Sequence, residues 1–195
     1  MARIAPMNRD QSGDLAPVFA MTEAAMGFVP NSMLTMAHWP QLLQTFSAFA
    51  GTVLGPGEVD AGLKQLIAFV ASNASGCRYC QAHTSHSAVR RGVDAEKIAA
   101  AFEFETSALF TPAERAALRV AAGGGMVPNG VEDAHMAALS EHFSERQIVE
   151  IIAVIALFGF LNRWNDTMAT TLEDDPRSFA SELLQPHGWE LAGHG

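Results

Sequence analysis

Apolar residues recur along most of the chain at the spacing of one helix face, and almost no stretch alternates between apolar and polar residues as a strand does. Residues 59–74 follow the helical pattern most regularly, with apolar side chains at intervals of three and four. The same spacing predicts helices near residues 15–26 and 41–53, with Pro30 and Pro40 at the joints. The pattern therefore predicts an all-α fold, a helical bundle.

Two segments have the residue order that favours a helix N-terminus. At 111–114 the order Thr-Pro-Ala-Glu places a capping hydroxyl first, proline at the first helical position and glutamate where a capping box needs it. At 144–147 the order Ser-Glu-Arg-Gln predicts a second capping box. Earlier in the chain, Gly92 followed by Asp94 predicts the end of one helix and the start of the next.

The length of 195 residues is sufficient for one domain with a substantial core. We interpret residues 1–195 as a single domain, with a cysteine-containing part at about 55–125 and a second helical part at about 126–173. Prolines and glycines are frequent in the remaining segment, 174–195. We expect this C-terminal tail to be loosely packed or to lie on a partner subunit.

The two helical parts resemble each other weakly. Residues 63–84 can be laid over residues 148–169, which pairs Cys77 with Asn162. Two amphipathic helices always align to some degree, so an internal duplication and a chance match both stay open. In either case only the first part has thiols.

The charge balance excludes several classes of partner. The formal net charge is −9, from 12 Lys and Arg against 21 Asp and Glu, and nucleic acids and anionic membranes are bound through basic clusters. The longest apolar run, residues 151–161, is shorter than the roughly 20 residues of a spanning helix, so we interpret it as part of a buried core helix. The N-terminal residues lack a continuous apolar segment of the secretory type. We therefore expect a cytoplasmic protein that binds neither membrane nor nucleic acid.

Both cysteines, two histidines and the only tyrosine lie between Gly76 and His86. A Cys-x-x-Cys pair at the first turn of a helix has a thiol near unpaired backbone N–H groups and the positive end of the helix dipole, which favour the reactive thiolate. His83 lies one turn beyond Cys80 and can reach its sulfur as a base or hydrogen-bond partner. We expect Ser75 or Gly76 to cap this helix. The cluster therefore favours redox chemistry.

Metal binding and inert packing are less favoured interpretations of the cluster. His86 lies about 13 Å along the helix axis from Cys77 and on the opposite side, so the cysteines and histidines of the segment cannot surround one ion on a regular helix. We predict no metal site. Isolated cysteines are often inert packing residues, but a paired motif with a histidine one turn later is less typical of that role. The other histidines carry no motif: His38, His135, His142, His187 and His194.

Three longer segments extend the likeness of this region to a known group of proteins. They are LKQLIAFVAS followed by GCRYCQAHT and SHSAVRRGVD from residue 63, GFVPNSMLTMAHWPQLL from residue 27, and IVEIIAVIALFGFLNRWNDTM from residue 148. Together they cover most of the chain, and they resemble the alkyl hydroperoxidase D / carboxymuconolactone decarboxylase superfamily and, within it, the peroxidase-related proteins. The resemblance implies an all-helical fold and a homo-oligomer.

The resemblance also implies roles for the thiols: Cys80 attacks a peroxide, and Cys77 then closes a disulfide with it. In this family a histidine commonly stands four residues after the second cysteine, where this chain has Thr84, so His83 would have to replace it. The relay glutamate of the family stands twelve residues before the first cysteine, where this chain has Gln65. An amide cannot accept and pass on a proton as a carboxylate can.

Three more residues are candidates for a rebuilt relay or for the pocket. Tyr79 stands where some of these enzymes have a histidine, Glu58 is a carboxylate that could replace the relay glutamate, and His86 follows on the same predicted helix. We expect His86 to be a surface histidine. The departures from the family pattern predict an activity that is slow or specialised.

We therefore predict a thiol-dependent hydroperoxide reductase that needs no bound cofactor. Its expected partners are a small hydroperoxide, an external dithiol such as a thioredoxin-like or lipoyl protein, and further copies of itself in a dimer, trimer or hexamer. Two alternatives stay open. One is a redox sensor that forms the disulfide without turnover, which Gln65 motivates; the other is a decarboxylase or isomerase in which the thiols are bystanders.

Overall fold

The computed structural model describes residues 2–11 and 13–195, and over these residues the chain folds into α-helices joined by loops and short 3-10 turns, with no strand. The prediction of an all-α bundle is confirmed. The helices are α1 (Ala16–Met26), α2 (Asn31–Met36), α3 (Pro40–Leu54), α4 (Ala61–Ser75), α5 (Arg78–Arg90), α6 (Ala95–Ala99), α7 (Pro112–Gly125), α8 (Asp133–Ser140), α9 (Glu145–Met168) and α10 (Asp174–Leu183). The proline joints are also confirmed, because Pro30 caps α2 and Pro40 begins α3.

The predicted capping boxes set the starts of α7 and α9. Thr111 Oγ1 accepts a hydrogen bond from the Glu114 N–H at 3.2 Å, and Glu114 Oε2 accepts one from the Thr111 N–H at 2.8 Å. Ser144 and Gln147 make the same reciprocal pair at the start of α9. Each box satisfies two backbone donors that a helix N-terminus leaves without partners, which is why these boundaries could be predicted from short motifs.

Helix α4 lies at the centre of the bundle. It contacts α5, α7 and α9, and its apolar side chains, from Leu66 to Ala71, are buried on all sides. A smaller apolar cluster, formed by residues of α1, α2 and α3, packs against Leu161 and Trp164 of α9. The site described below lies between these two clusters.

One ion pair lies inside the bundle. The Lys64 ammonium, on α4, donates to the carbonyl oxygens of Val53 and Gly55 and contacts Glu150 Oε2 of α9, each at 3.0 Å. Glu150 also accepts the backbone N–H groups of Glu58 and Val59. The buried charges are therefore paired and hydrogen-bonded, as charges in a protein interior must be.

Helix α9 is long and apolar enough to cross a membrane by length and composition, with 39% of its most apolar window buried. It packs on α3, α4, α5, α7 and α8, as the core helix of a bundle does. These helices cover only one face of α9, and the prediction of a buried core helix is correct for that face alone. The other face exposes Val149, Ile152 and Phe160.

The structure does not support an internal duplication. Residues 63–84 span two helices that are separated at Gly76, where φ is +78°, whereas the segment laid over them forms the single uninterrupted helix α9. A positive φ ends a helix readily at glycine, which has no Cβ. The second segment has no glycine at the corresponding place, so the two segments differ in structure and the duplication stays a hypothesis that this difference does not favour.

The expectation of a loosely packed tail is wrong. Residues 174–183 form α10, which packs on α5, and Leu184 and Trp189 beyond it are buried. The Trp189 indole N–H donates to the Arg78 carbonyl oxygen at 3.1 Å. The prolines and glycines of the tail mark its turns, and its aromatic and leucine side chains hold it against the N-terminus of α5.

Candidate active site

The two cysteines lie at the N-terminus of α5, as the sequence predicted. Gly76 ends α4, and the next residue, Cys77, becomes the N-cap of α5. The Cys77 sulfur accepts the Cys80 backbone N–H at 3.4 Å, so the cap is the first cysteine itself and not Ser75 or Gly76. This bond draws the Cys77 sulfur over the first turn of α5, toward the second cysteine.

The two thiols are both free and buried, but their surroundings differ. Cys80 lines a cavity of about 350 Å³ between α1, α2, α3, α5 and α9, and Cys77 does not. The hydrogen bond between the two thiols, burial and the charge of Cys80 raise the pKa of Cys77, so Cys77 stays protonated. Asn165 Nδ2 donates to the Cys80 sulfur at 3.3 Å, which stabilises negative charge there. Of the two thiols, Cys80 is therefore the one that a molecule in the cavity can contact.

The cavity is mainly apolar, with polar groups concentrated on α5. Its size matches that of pockets that hold ring-sized organic molecules. The apolar lining residues include Met21, Met26, Phe28, Met33, Phe46, Leu54, Phe158 and Leu161. A larger groove of about 770 Å³ lies between α7 and α9, but it has no thiol and no histidine in its wall, so the smaller cavity is the candidate active site.

A buried carboxylate stands behind the polar wall of the cavity. Glu173, the N-cap residue of α10, contacts His83 Nε2 through Oε2 at 2.6 Å and accepts the Tyr79 hydroxyl through Oε1 at 2.9 Å. The Tyr79 and His83 rings are stacked, with centroids 4.3 Å apart. Glu173 also accepts the backbone N–H of Asn31 at the start of α2. One carboxylate therefore fixes both side chains that flank Cys80 on α5.

The charges in this group determine which of its members are ionised. Burial would raise the pKa of Glu173, but the charge and hydrogen bond of His83 and the Asn31 N–H lower it below its ordinary value. Burial and the negative charge of Glu173 raise the pKa of Tyr79. Glu173 is thus a carboxylate and Tyr79 is a neutral donor, and the carboxylate holds the His83 ring at the cavity wall.

Comparison with known proteins agrees with this architecture. Residues 40–123 match the model of the carboxymuconolactone decarboxylase family. The debrominase Bmp8 is 39% identical in sequence, with a TM-score of 0.87 over 93% of this chain and 97% of its own. The chain belongs to the alkyl hydroperoxidase D / carboxymuconolactone decarboxylase superfamily. The characterised members that it resembles are enzymes, and it has the superfamily's peroxidase-related type of fold.

Three further proteins or variants are similar to this chain. A cysteine-to-alanine variant of Bmp8 in complex with 2,3,4-tribromopyrrole superposes with a TM-score of 0.88 at 38% identity, over 94% of this chain and 98% of that one. A peroxidase-related protein from Ralstonia eutropha JMP134 with an alkylhydroperoxidase AhpD core has a TM-score of 0.80 at 25% identity, over 92% and 95%. YnjA of Escherichia coli K12 is 28% identical over 110 residues, which are 56% of this chain and 60% of YnjA.

The structure brings most of the predicted superfamily site residues to the cavity. Gln65 of α4 lines it beside Cys80, Tyr79 and His83. Thr84 also lines it, but its hydroxyl donates to the Cys80 carbonyl oxygen at 2.7 Å. A hydroxyl committed to the helix backbone does not serve as a proton relay, so its part is to hold the first turns of α5.

The remaining two candidates have different positions from those expected. His86, expected at the surface, is half-buried at the cavity wall, where its ring packs on Phe28 and Phe179. Burial and the neighbouring positive charge of Arg90 lower the pKa of His86. Glu58 is not brought to the thiols: it is exposed, and its carboxylate accepts the Ser144 hydroxyl at 3.4 Å. The carboxylate behind His83 is Glu173 instead.

Sequence reasoning missed Glu173 and Asn165. Glu173 is 90 residues from His83 along the chain, and Asn165 is 85 residues from Cys80. Neither residue belongs to a motif that names a thiol partner, and the acidic run at 173–175 is typical of an ordinary helix start. Only the packing of α9 and α10 against α5 brings them to the cysteines.

A second group of ionisable side chains lies beside Cys77. The Cys77 sulfur, a carboxylate oxygen of Asp166 and a ring nitrogen of His194 are all within 4.8 Å of one another. None of the three residues lines the cavity. Their donor types also occur in metal sites, and the prediction that the protein uses no metal stays a prediction.

Proposed function

We propose that this protein is a thiol-dependent reductase that uses Cys77 and Cys80 on an apolar organic substrate. The observation that supports the proposal is the different placement of the two sulfurs: Cys80 opens into an apolar cavity, while Cys77 is a protonated thiol buried next to it. A nucleophile in the cavity and a resolving thiol behind it are the two parts that disulfide-forming reductases need.

Organic hydroperoxides are the first substrate class. The Cys80 thiolate attacks the terminal peroxide oxygen, the O–O bond breaks, and the alkoxide takes a proton from His83 to leave as an alcohol. Cys80 becomes a sulfenic acid, which condenses with the Cys77 thiol to give a disulfide and water. His83 is suited to this step because Glu173 holds its ring at the cavity wall.

Halogenated aromatic rings are the second substrate class, and the near full-length similarity to the debrominase Bmp8 favours them. In this reaction Cys80 takes the halogen from carbon, the ring carbon gains a proton, and the sulfenyl halide reacts with Cys77 to give a disulfide, halide and a proton. The Asn165 amide oxygen is buried and has no hydrogen-bond partner among the described residues. It can accept the N–H or O–H of such a ring, because buried acceptors are normally paired.

Both reactions end in the same disulfide and need an external dithiol to restore the thiols. A dithiol that reduces the disulfide supplies two electrons per cycle, so a thioredoxin-like or lipoyl protein remains the expected partner. A sensor would form the disulfide and stop there. Both would use the same oxidative steps, so repeated turnover with an external dithiol is what distinguishes the reductase from a sensor.

The test is a comparison of two substrates on one reduced protein. Cumene hydroperoxide and 2,3,4-tribromopyrrole are each mixed with the reduced protein, and alcohol or bromide release is followed together with the loss of free thiols. Excess dithiothreitol then tests for repeated turnover. We expect release of one product with closure of the disulfide, and Cys80→Ser to lower that release at least 100-fold.

Three outcomes would decide the case. Alcohol release alone supports the peroxidase, and bromide release alone supports the dehalogenase. Thiol loss no faster than that of free cysteine with both substrates contradicts the proposal. The matched control is Cys77→Ser, which should still react at Cys80 but should not form the intramolecular disulfide.

A further inference from the structure

His194, the penultimate residue, is carried by the tail to the buried side of the cysteine pair. It belongs to the 3-10 turn Ala192–His194 and is only 5% exposed. Its Nδ1 contacts the Thr170 carbonyl oxygen at 2.9 Å, and its own carbonyl oxygen accepts the Leu172 N–H at 2.8 Å. Because a carbonyl oxygen only accepts, Nδ1 carries the hydrogen, and the ring orientation is fixed.

The other ring nitrogen faces a carboxylate that reaches solvent. His194 Nε2 lies 3.2 Å from Asp166 Oδ1, and the Asp166 side chain is 44% exposed. The Cys77 sulfur lies within 4.8 Å of both groups. A buried thiol, a buried imidazole and an exposed carboxylate therefore lie next to one another.

The redox cycle requires a proton route at Cys77. The thiol must lose its proton when it attacks the oxidised Cys80 sulfur, because a neutral thiol is a poor nucleophile. Cys77 has no accessible surface and does not line the cavity, so neither solvent nor the substrate space reaches it directly. His194 and Asp166 are ionisable groups next to it, and the Asp166 side chain is exposed to solvent.

We propose that His194 accepts the Cys77 proton during disulfide closure and that Asp166 passes it to solvent. In this step the Cys77 sulfur bonds to the Cys80 sulfur, the bond from Cys80 to its leaving group breaks, and the electron pair departs with hydroxide or halide. The proton goes from Cys77 to His194 Nε2, where Asp166 stabilises the imidazolium. The inference rests on the proposed thiol chemistry but does not depend on which substrate oxidises Cys80.

The test separates oxidation of Cys80 from closure of the disulfide. The reduced full-length protein is mixed with one equivalent of cumene hydroperoxide, or of diamide, which adds to a thiolate without any substrate pocket. Samples are quenched in acid at set times, and mass spectrometry quantifies the disulfide and the Cys80 adduct, with dimedone trapping the sulfenic acid. The variant is His194→Asn, whose amide can still donate to the Thr170 carbonyl oxygen and anchor the tail.

We expect His194→Asn to slow disulfide closure at least 10-fold while the first oxidation of Cys80 proceeds at the parent rate, so that the Cys80 adduct accumulates. Asp166→Asn should also slow the closure of the disulfide. The matched control is His187→Asn, another tail histidine, whose ring stacks on Phe102; it should close at the parent rate. A purely structural role for His194 would change both steps together.

Failure of this inference and failure of the proposed function give different results. If hydroperoxide does not oxidise the parent protein but His194→Asn slows closure after diamide, the peroxidase assignment fails and the proton route stands. If His194→Asn closes at the parent rate with both oxidants, the proton route is wrong. Stoichiometric zinc binding by the reduced parent that is lost in His194→Asn would also overturn it, because the three groups would then be metal ligands.

Discussion

Cys77 and Cys80 are three positions apart on one helix turn, yet the surroundings of the two sulfurs favour different chemical roles. Cys80 faces an apolar cavity and accepts a hydrogen bond from Asn165. Cys77 caps the helix and is held protonated beside Cys80. In a pair with two identical side chains, the attacking thiol is decided by what each sulfur contacts and not by the motif.

Glu173 offers the clearest test at the scale of single residues. We expect Glu173→Gln to lower kcat about 10- to 100-fold, somewhat less than general acid–base catalysis contributes, because the amide leaves His83 in place but removes the charge that stabilises its protonated form. The measurement is steady-state turnover with whichever substrate proves active. Asp174→Asn is the matched control: Asp174 is the next residue and its side chain is 86% exposed. Equal rates for Glu173→Gln and the parent would contradict a role for Glu173 in proton transfer through His83.

The helices are joined by buried polar contacts as well as by apolar packing. Lys64 ties the end of α3 to α4 and, through Glu150, to α9. Hydrogen bonds from the Glu58 backbone, from Lys64 and from Val59 lower the pKa of Glu150 to about 2, against an ordinary value of 4.5. The ion pair therefore holds together three of the helices that enclose the cavity, without touching the substrate space.

Glu150→Gln is expected to lower the free energy of unfolding by about 3–5 kcal/mol, the range found when one partner of a buried pair is removed. The Lys64 ammonium would remain buried without a counter-charge. Urea unfolding at pH 7 measures the change. Glu145→Gln, an exposed position on the same helix, should change the value by less than about 1 kcal/mol. If Glu150→Gln also lowered the free energy of unfolding by less than about 1 kcal/mol, the Lys64–Glu150 ion pair would not stabilise the fold.

The same carboxylate predicts a dependence on pH. A glutamate whose pKa is lowered by folding stabilises the protein when it is charged, so its contribution is present above the ordinary value and is lost as pH falls. We expect the contribution of Glu150 to decline between about pH 4.5 and about pH 2. Unfolding of the parent and Glu150→Gln at several pH values measures it: their stabilities should converge in this window. A difference in unfolding free energy between the parent and Glu150→Gln that stays constant down to pH 2 would contradict the lowered pKa of Glu150.

The whole molecule leaves one apolar face of its longest helix uncovered. Val149, Ile152 and Phe160 are exposed along α9. Ile152 and Phe160 also line the groove between α7 and α9. Contiguous exposed apolar surface of this kind is typical of subunit interfaces. The homo-oligomer implied by the sequence resemblance remains a prediction, and this face is where we expect a second copy of the chain to pack.

Ile152→Glu tests that expectation. A carboxylate in the centre of an apolar interface loses its hydration without gaining a partner, so we expect the variant to shift toward the monomer. Light scattering after size-exclusion chromatography gives the mass of the parent and the variant. The control is Glu182→Lys, a charge change at an exposed position of α10, outside α9. A monomeric parent, or an assembly unchanged by Ile152→Glu, would count against an interface on α9.

Much of the fold could be predicted from the sequence, because helix boundaries depend on contacts between residues three and four apart. The capping boxes at Thr111 and Ser144 and the helix end at Gly92 are local features of this kind. The loosely packed tail was predicted wrongly for the complementary reason. Its glycines and prolines are local signals for turns, but the burial of Trp189 depends on a surface of α5 that is far away in sequence.

The sequence by itself determined that the protein is all-helical and has its cysteines and His83 at the start of one helix, since these follow from spacing within a few turns. Only the tertiary structure decided that Cys80 faces a cavity, that Glu173 stands behind His83 and that His194 reaches Cys77. Those placements join residues up to 117 positions apart, counting from Cys77 to His194. They arise because α9, α10 and the tail bury their apolar faces against α5, and apolar burial does not depend on sequence distance.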